Sequence, residues 1–117
     1  MANRSKSKGD SAEREAAALI HELTGWPARR KLGAGRHDDV GDIDGVPATV
    51  VQVVNRQDVA AALRLKVPAC MVQQARAGAT FGCVFVRRRG GGFYVAMAPE
   101  QWATYARESL AVGWPAS

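Results

Sequence analysis

The sequence predicts a small α/β or α+β domain, helices packed on a sheet, with elements in the order α-β-β-β-α-β-β-α. Three observations carry this. Residues 10–24 place Ala12, Ala16, Leu19, Ile20 and Leu23 at spacings of three and four, the period of a helix with one apolar face. Residues 49–55 and 81–87 are valine-rich apolar runs of strand length. Glycine and proline punctuate the boundaries, at Gly25 and Pro27, Gly45 and Pro47, Gly78, and Gly90 to Gly92.

In chain order, residues 1–9 read as a flexible basic arm, 10–112 as a single domain and 113–117 as a C-terminal tail. Asp10 and Glu13 give the first helix a capping-box-like start, and Gly25 ends it. Residues 26–32 form a short strand with Trp26 or Ala28 packing inward, followed by a glycine-rich loop, Gly33-Ala34-Gly35-Arg36-His37-Asp38-Asp39. Residues 41–55 form two strands around a Gly-Val-Pro turn. The second is apolar except for Gln52, as expected of a central strand buried on both faces. Residues 58–77 are helical and are expected to break or kink at Pro68. Residues 81–87 and 93–98 pair as a hairpin. Residues 99–110 close the chain as a helix with Trp102, Tyr105, Ala106 and Leu110 on one side.

The 117 residues suit one modest core, 47% of them are hydrophobic, and no apolar run approaches a membrane span. The basic N-terminus lacks the apolar stretch of a secretory signal. Cys70 and Cys83 have no metal-ligand spacing and sit in apolar surroundings, so buried free thiols and a cytoplasmic setting are expected. The net charge is +5, and the cations cluster at Arg4/Lys6/Lys8, at Arg29/Arg30/Lys31/Arg36 and at Arg87/Arg88/Arg89. Clustering favours a polyanionic partner, most simply nucleic acid, over charge that serves solubility alone.

Lys8-Gly9 followed by Glu13-Arg14-Glu15, then Gly25-Trp26, Arg30, Gly33-Ala34-Gly35 and Gly41-Asp42, form an ordered set. In order and spacing the set resembles archaeal-type Holliday-junction resolvases of the PD-(D/E)XK nuclease superfamily. The resemblance covers residues 8–55 and, loosely, the apolar hairpin at 79–98. It implies a restriction-endonuclease-like mixed β-sheet flanked by helices, a homodimer on branched or duplex DNA, and phosphodiester cleavage dependent on Mg²⁺ or Mn²⁺. By motif position Glu13 matches the helix-borne acid, Arg14 and Arg30 the active-site arginines, and Asp42 a metal-binding aspartate. Gln52 and Val54 stand where the family has the glutamate and lysine of Glu-x-Lys.

Phosphodiester hydrolysis needs a water-derived nucleophile, charge neutralisation and a stabilised leaving oxygen, which a carboxylate-held divalent metal can supply. Asp42 and Gln52 are the metal-ligand candidates. Gln52 keeps a carbonyl oxygen without the charge, and Val54 has no donor. Losing one preorganised electrostatic group costs about 3 kcal/mol of transition-state stabilisation. Asp44, Asp38 or Asp39 could restore a carboxylate, and Lys31, Arg56 or Lys66 a cation. Each site residue also has a plainer reading: Glu13 as helix cap, Arg14 as solvated, Asp42 as turn-flanking, Gln52 as a satisfied core amide, Gln73 and Gln74 as a solvated helix face.

DNA binding does not need the lost residues, because phosphate contacts come from Arg, Lys and backbone N–H groups. The binding candidates are Lys8, Arg29, Arg30, Lys31, Arg36, Arg87, Arg88 and Arg89. The expected function is therefore DNA binding on a resolvase-like fold with weak or lost cleavage. The alternatives are an active Mg²⁺-dependent endonuclease with a rearranged site and a protein-interaction module reusing the fold.

Overall fold

The alternation of side chains along a strand decides how the sheet is used. In β3 (Thr49–Val54), Val50 and Val54 pack with Ala62 and Cys70 on one face, and Val51 packs with Ala16, Ala17 and Ile20 on the other. β4 (Phe81–Arg87) runs parallel to β3 in the register Val51↔Cys83 and divides its residues the same way, Cys83 to one cluster and Val84 and Val86 to the other. A parallel pair covered on both faces needs this near-continuous apolar sequence.

The computed structural model describes residues 4–31 and 41–111, with side chains from Ser11 onward. Around the central pair, β1 (Arg29–Arg30), β2 (Ile43–Asp44) and β5 (Phe93–Ala96) complete one mixed sheet in the order β1-β2-β3-β4-β5. All neighbours except β3 and β4 are antiparallel. α1 (Arg4–Thr24) covers one face and α2 (Val59–Ala77), the crossover between β3 and β4, the other. The element order is the one expected from sequence. Among the described residues no helix is long and apolar enough to cross a membrane.

Several boundaries differ from expectation. α1 begins at Arg4, so Asp10 lies inside it rather than capping it, and residues 4–9 are helix rather than arm. The Ser-Lys tract contains good helix formers and carries no breaker except Gly9, a weak one. α1 turns Ala12, Ala16, Ala17 and Ile20 inward and leaves Leu23 72% exposed. β1 is only two residues long; Ala28 packs against the core, whereas Trp26 is exposed.

α2 runs unbroken through Pro68. Proline there removes one backbone donor, but Ala62 before it and Cys70 and Gln73 after it are buried, and this packing holds both halves. Asp58 caps the start by accepting from the Ala61 N–H at 3.0 Å. At the other end Gly78, in the left-handed region at φ 64°, closes a Schellman motif, in which Gly78 N–H donates to Ala75 O and Ala79 N–H to Gln74 O. The loop carrying Arg36, Asp38 and Asp39 and the expected tail at 113–117 lie outside the described residues.

α3 (Pro99–Ala111) packs through Gln101 and Tyr105, not through Trp102 and Leu110, which are 62% and 61% exposed. Tyr105 stacks on Phe81 at a centroid distance of 4.5 Å. Gln101 donates to Gln74 Oε1 at 3.0 Å, and its own Oε1 accepts from the Ala98 N–H at 2.9 Å. Gly82 leaves room for this pair: a Cβ there would stand 2.5 Å from Gln74 Oε1 and 2.7 Å from Gln101 Nε2, so the two amide ends would have to shift.

Both cysteines are buried free thiols. Burial pushes the Cys83 thiol up to about 12, opposed by a hydrogen bond with Tyr105, and burial likewise raises the Tyr105 hydroxyl above its usual range. In the unfolded chain these groups ionise near 9 and 10. The stability they lend is therefore complete below pH 9 and is lost as pH rises toward 12. Thermal unfolding across this range is expected to show Tm falling above pH 9, with a shallower fall in Cys83→Ala.

Candidate nucleic-acid interface

Because β3 and β4 are parallel, their carboxyl ends lie together, and the chain leaves them at Asn55 and Arg88. β2 is antiparallel to β3, so Asp42, just before β2, comes to the same end. There its N–H donates to Val51 O at 2.7 Å. β1 is antiparallel to β2 and delivers Arg30 and Lys31 beside it, with Lys31 N–H donating to Asp42 O at 2.9 Å. α1 reaches this end through two ion pairs, Glu13 Oε1 with Arg30 Nε at 3.5 Å and Glu15 Oε2 with Arg87 Nε at 2.6 Å. α2 starts here, while α3 packs at the opposite end through Phe81.

The topology thus gathers most described site candidates at one end of the sheet, in distinct roles. Glu13 and Arg30 face each other, while Arg14 is exposed and makes no ion pair among the described residues. Asp42 spends one carboxylate oxygen on the Val53 N–H, at 2.8 Å. Lys31 pairs with Asp44 at 3.6 Å, and Arg29 stands opposite Asp44 in register. Arg87 is held by Glu15, by the Arg88 carbonyl at 2.8 Å, by the Gly92 carbonyl at 3.5 Å, and by the Phe93 ring 5.7 Å away. Arg88 lies 4.7 Å over the Tyr94 ring, and Arg89 is exposed. The Lys8 side chain and Arg36 lie outside the described residues.

The two altered motif positions are core positions. Gln52 is 1% exposed beneath α2, and its Nε2 donates to Oε1 of Gln73. Gln73 is buried, not on a solvated face as its sequence context suggested. Val54 is 2% exposed and packs in the apolar cluster with Val50, Ala62 and Val86. These residues do not fit a Glu-x-Lys metal site. The donor at 52 is a neutral amide engaged with Gln73, position 54 has no polar atom, and Asp42 has one oxygen on a backbone amide. Among the described residues no three His, Cys, Asp or Glu side chains converge as a metal-binding group.

Sequence reasoning passed over Asn55 and Gln57. With Arg56, Val59, Arg87, Arg88 and Arg89 they line a cleft of about 330 Å³ between the β3–α2 turn and the β4–β5 hairpin. The available signal was a polar Asn-Arg-Gln run between a buried strand and a helix N-cap, since ligands gather outside the carboxyl ends of parallel strands. Arg56, Arg88 and Arg89 have no carboxylate partner among the described residues.

Comparison of the chain with protein-family models, curated proteins and solved structures finds no match.

The buried amide pair makes a clear stability prediction. Gln52→Leu leaves the Gln73 carbonyl oxygen buried without its donor and is expected to cost about 1–3 kcal/mol in urea unfolding. Adding Gln73→Leu should recover most of that loss. Val54→Lys places an ammonium in an apolar cluster and is expected to lower the denaturant midpoint by more than Val54→Ala does.

Proposed function

We propose that this protein binds DNA, branched or duplex, through the basic end of its sheet, and that it cleaves phosphodiesters weakly or not at all. One observation carries the reading: cations of the β3–α2 turn and the β4–β5 hairpin line one cleft at the carboxyl ends of β3 and β4, while the two altered motif positions are occupied by core residues. Arginine is suited to phosphate, since its planar fork donates two parallel hydrogen bonds. The resemblance to resolvases agrees with this reading and adds a homodimer. Tyr94, Val95, Trp102 and Leu110, which β5 and α3 leave exposed, are apolar surface that a second copy would cover. Two buried thiols suit a reducing compartment, so a cytoplasmic setting belongs to the same proposal.

A second reading, a protein-interaction module, is favoured by a separate apolar cleft of about 140 Å³ bordered by Leu23, Trp26, Val46, Phe85 and Tyr105.

The deciding experiment incubates the protein with a synthetic four-way junction and with a duplex, in Mg²⁺ and in Mn²⁺. Tight, salt-sensitive binding without cleavage is the expected result, since phosphate-driven affinity falls with salt. Cleavage abolished by Asp42→Ala would instead show an active endonuclease with a rearranged site. Absence of binding at low salt would leave the interaction module.

A further inference from the structure

We infer that the cleft between the β3–α2 turn and the β4–β5 hairpin is a phosphate-binding subsite, separate from the nuclease-motif positions. The inference deepens the DNA-binding reading, and rests on it only for what carries the phosphate.

Two walls of different character form the cleft. On one side the chain leaves β3 at Asn55 and passes through Arg56 and Gln57 before α2 begins. On the other side stands the start of the hairpin, from Arg87 to Arg89, with Val59 adding an apolar surface. The cations divide by role. Arg87 is a positioning residue, because its guanidinium is engaged by Glu15 at 2.6 Å and by the Arg88 carbonyl at 2.8 Å. Those interactions tie the base of the hairpin to α1. Arg88 is exposed, and its guanidinium carbon lies 4.7 Å from the centre of the Tyr94 ring, a cation–π contact that steadies the side chain beside the cleft. Arg56 and Arg89 are exposed.

Three like charges around one concavity repel each other, and among the described residues no carboxylate pairs with any of the three. The nearest acid in sequence, Asp58, directs an oxygen to the Ala61 N–H at the start of α2. A cleft lined by one sign of charge concentrates the opposite sign. Gln57 adds amide donors to the guanidinium forks, so the lining offers the hydrogen-bond donors that a tetrahedral oxyanion needs. The phosphate can belong to a DNA backbone or to a free phosphate compound, and the test has an arm for each.

The test compares the wild type with Arg56→Gln/Arg88→Gln/Arg89→Gln, and with a control that loses the same charge elsewhere, Arg64→Gln/Arg76→Gln/Arg107→Gln. Amide chemical shifts are followed while inorganic phosphate is added against chloride at matched ionic strength. Shifts confined to residues 55–59 and 87–92, abolished in the cleft variant and kept in the control, are expected. Shifts spread over the surface, or unchanged in the cleft variant, would overturn the subsite. In the second arm, junction binding is measured against salt. The cleft variant should bind more weakly than the control, with a salt slope shallower by about one for each phosphate it no longer neutralises. DNA binding that keeps its full slope in the cleft variant, together with no phosphate shifts confined to the cleft, would overturn the subsite and leave the DNA-binding reading standing. Phosphate bound in the cleft by a protein that does not bind DNA would uphold the subsite, assign it to free phosphate compounds, and remove the DNA-binding reading. Circular dichroism of each variant reports whether the fold is kept.

Discussion

The parallel pairing of β3 with β4 is the constraint from which the rest follows. Two strands that run the same way need a crossover, and α2 supplies it across one face while α1 covers the other. Both faces of both strands are then committed to packing, so polar groups along their length are costly unless each finds a partner. Chemistry is pushed to the strand ends. At the amino ends α3 closes the structure through the Phe81–Tyr105 stack. At the carboxyl ends the chain emerges as Asn55-Arg56-Gln57 and as Arg88-Arg89, and these residues become the walls of the cleft.

Within the covered strands, Gln52 is the exception. Its amide is neutral and reaches a second amide on α2, so the core holds a polar interaction without holding a charge. A related arrangement recurs at the next residue of α2, where Gln74 accepts from Gln101 on α3 and donates to the Thr80 carbonyl at 3.0 Å. The two glutamines adjacent in sequence thus tie α2 to β3 and to α3. A glutamate at position 52 would instead bring a negative charge to a site whose described partner is another amide, and burial without a cation is unfavourable to the charged form.

Much of this fold was legible in the sequence because its signals were local. The valine runs at 49–55 and 81–87, the helical spacing of Ala12, Ala16 and Ile20, and Asp58 and Gly78 as helix limits depend on residues close in sequence. What failed to read through depended on long-range packing. Pro68 sits in a helix held by packing on either side of it, and Gln101 rather than Trp102 faces inward, where it is hydrogen-bonded to Gln74 and to the Ala98 N–H. At the candidate site, Gln52 was recognisable as a polar residue in a buried strand, but its partner was not, since Gln73 lies 21 residues away. Asp42 and the basic segments stood out individually. That Arg56 and Arg87 to Arg89 line one cleft follows from the parallel direction of β3 and β4, which basic clusters taken one by one do not reveal.

The ion pairs between α1 and the sheet have a consequence for any measurement of anion binding. Arg30 and Arg87 are already neutralised from within, by Glu13 and Glu15. A polyanion that recruited either arginine would have to displace a carboxylate, which would then collect a cation from solution. The exchange nearly cancels in the ion inventory: one cation is shed by the phosphate and one is taken up by the protein. Such swapped pairs would be almost silent in salt dependence while still shaping how the ligand lies, so salt dependence alone would understate how much of the ligand rests beside α1.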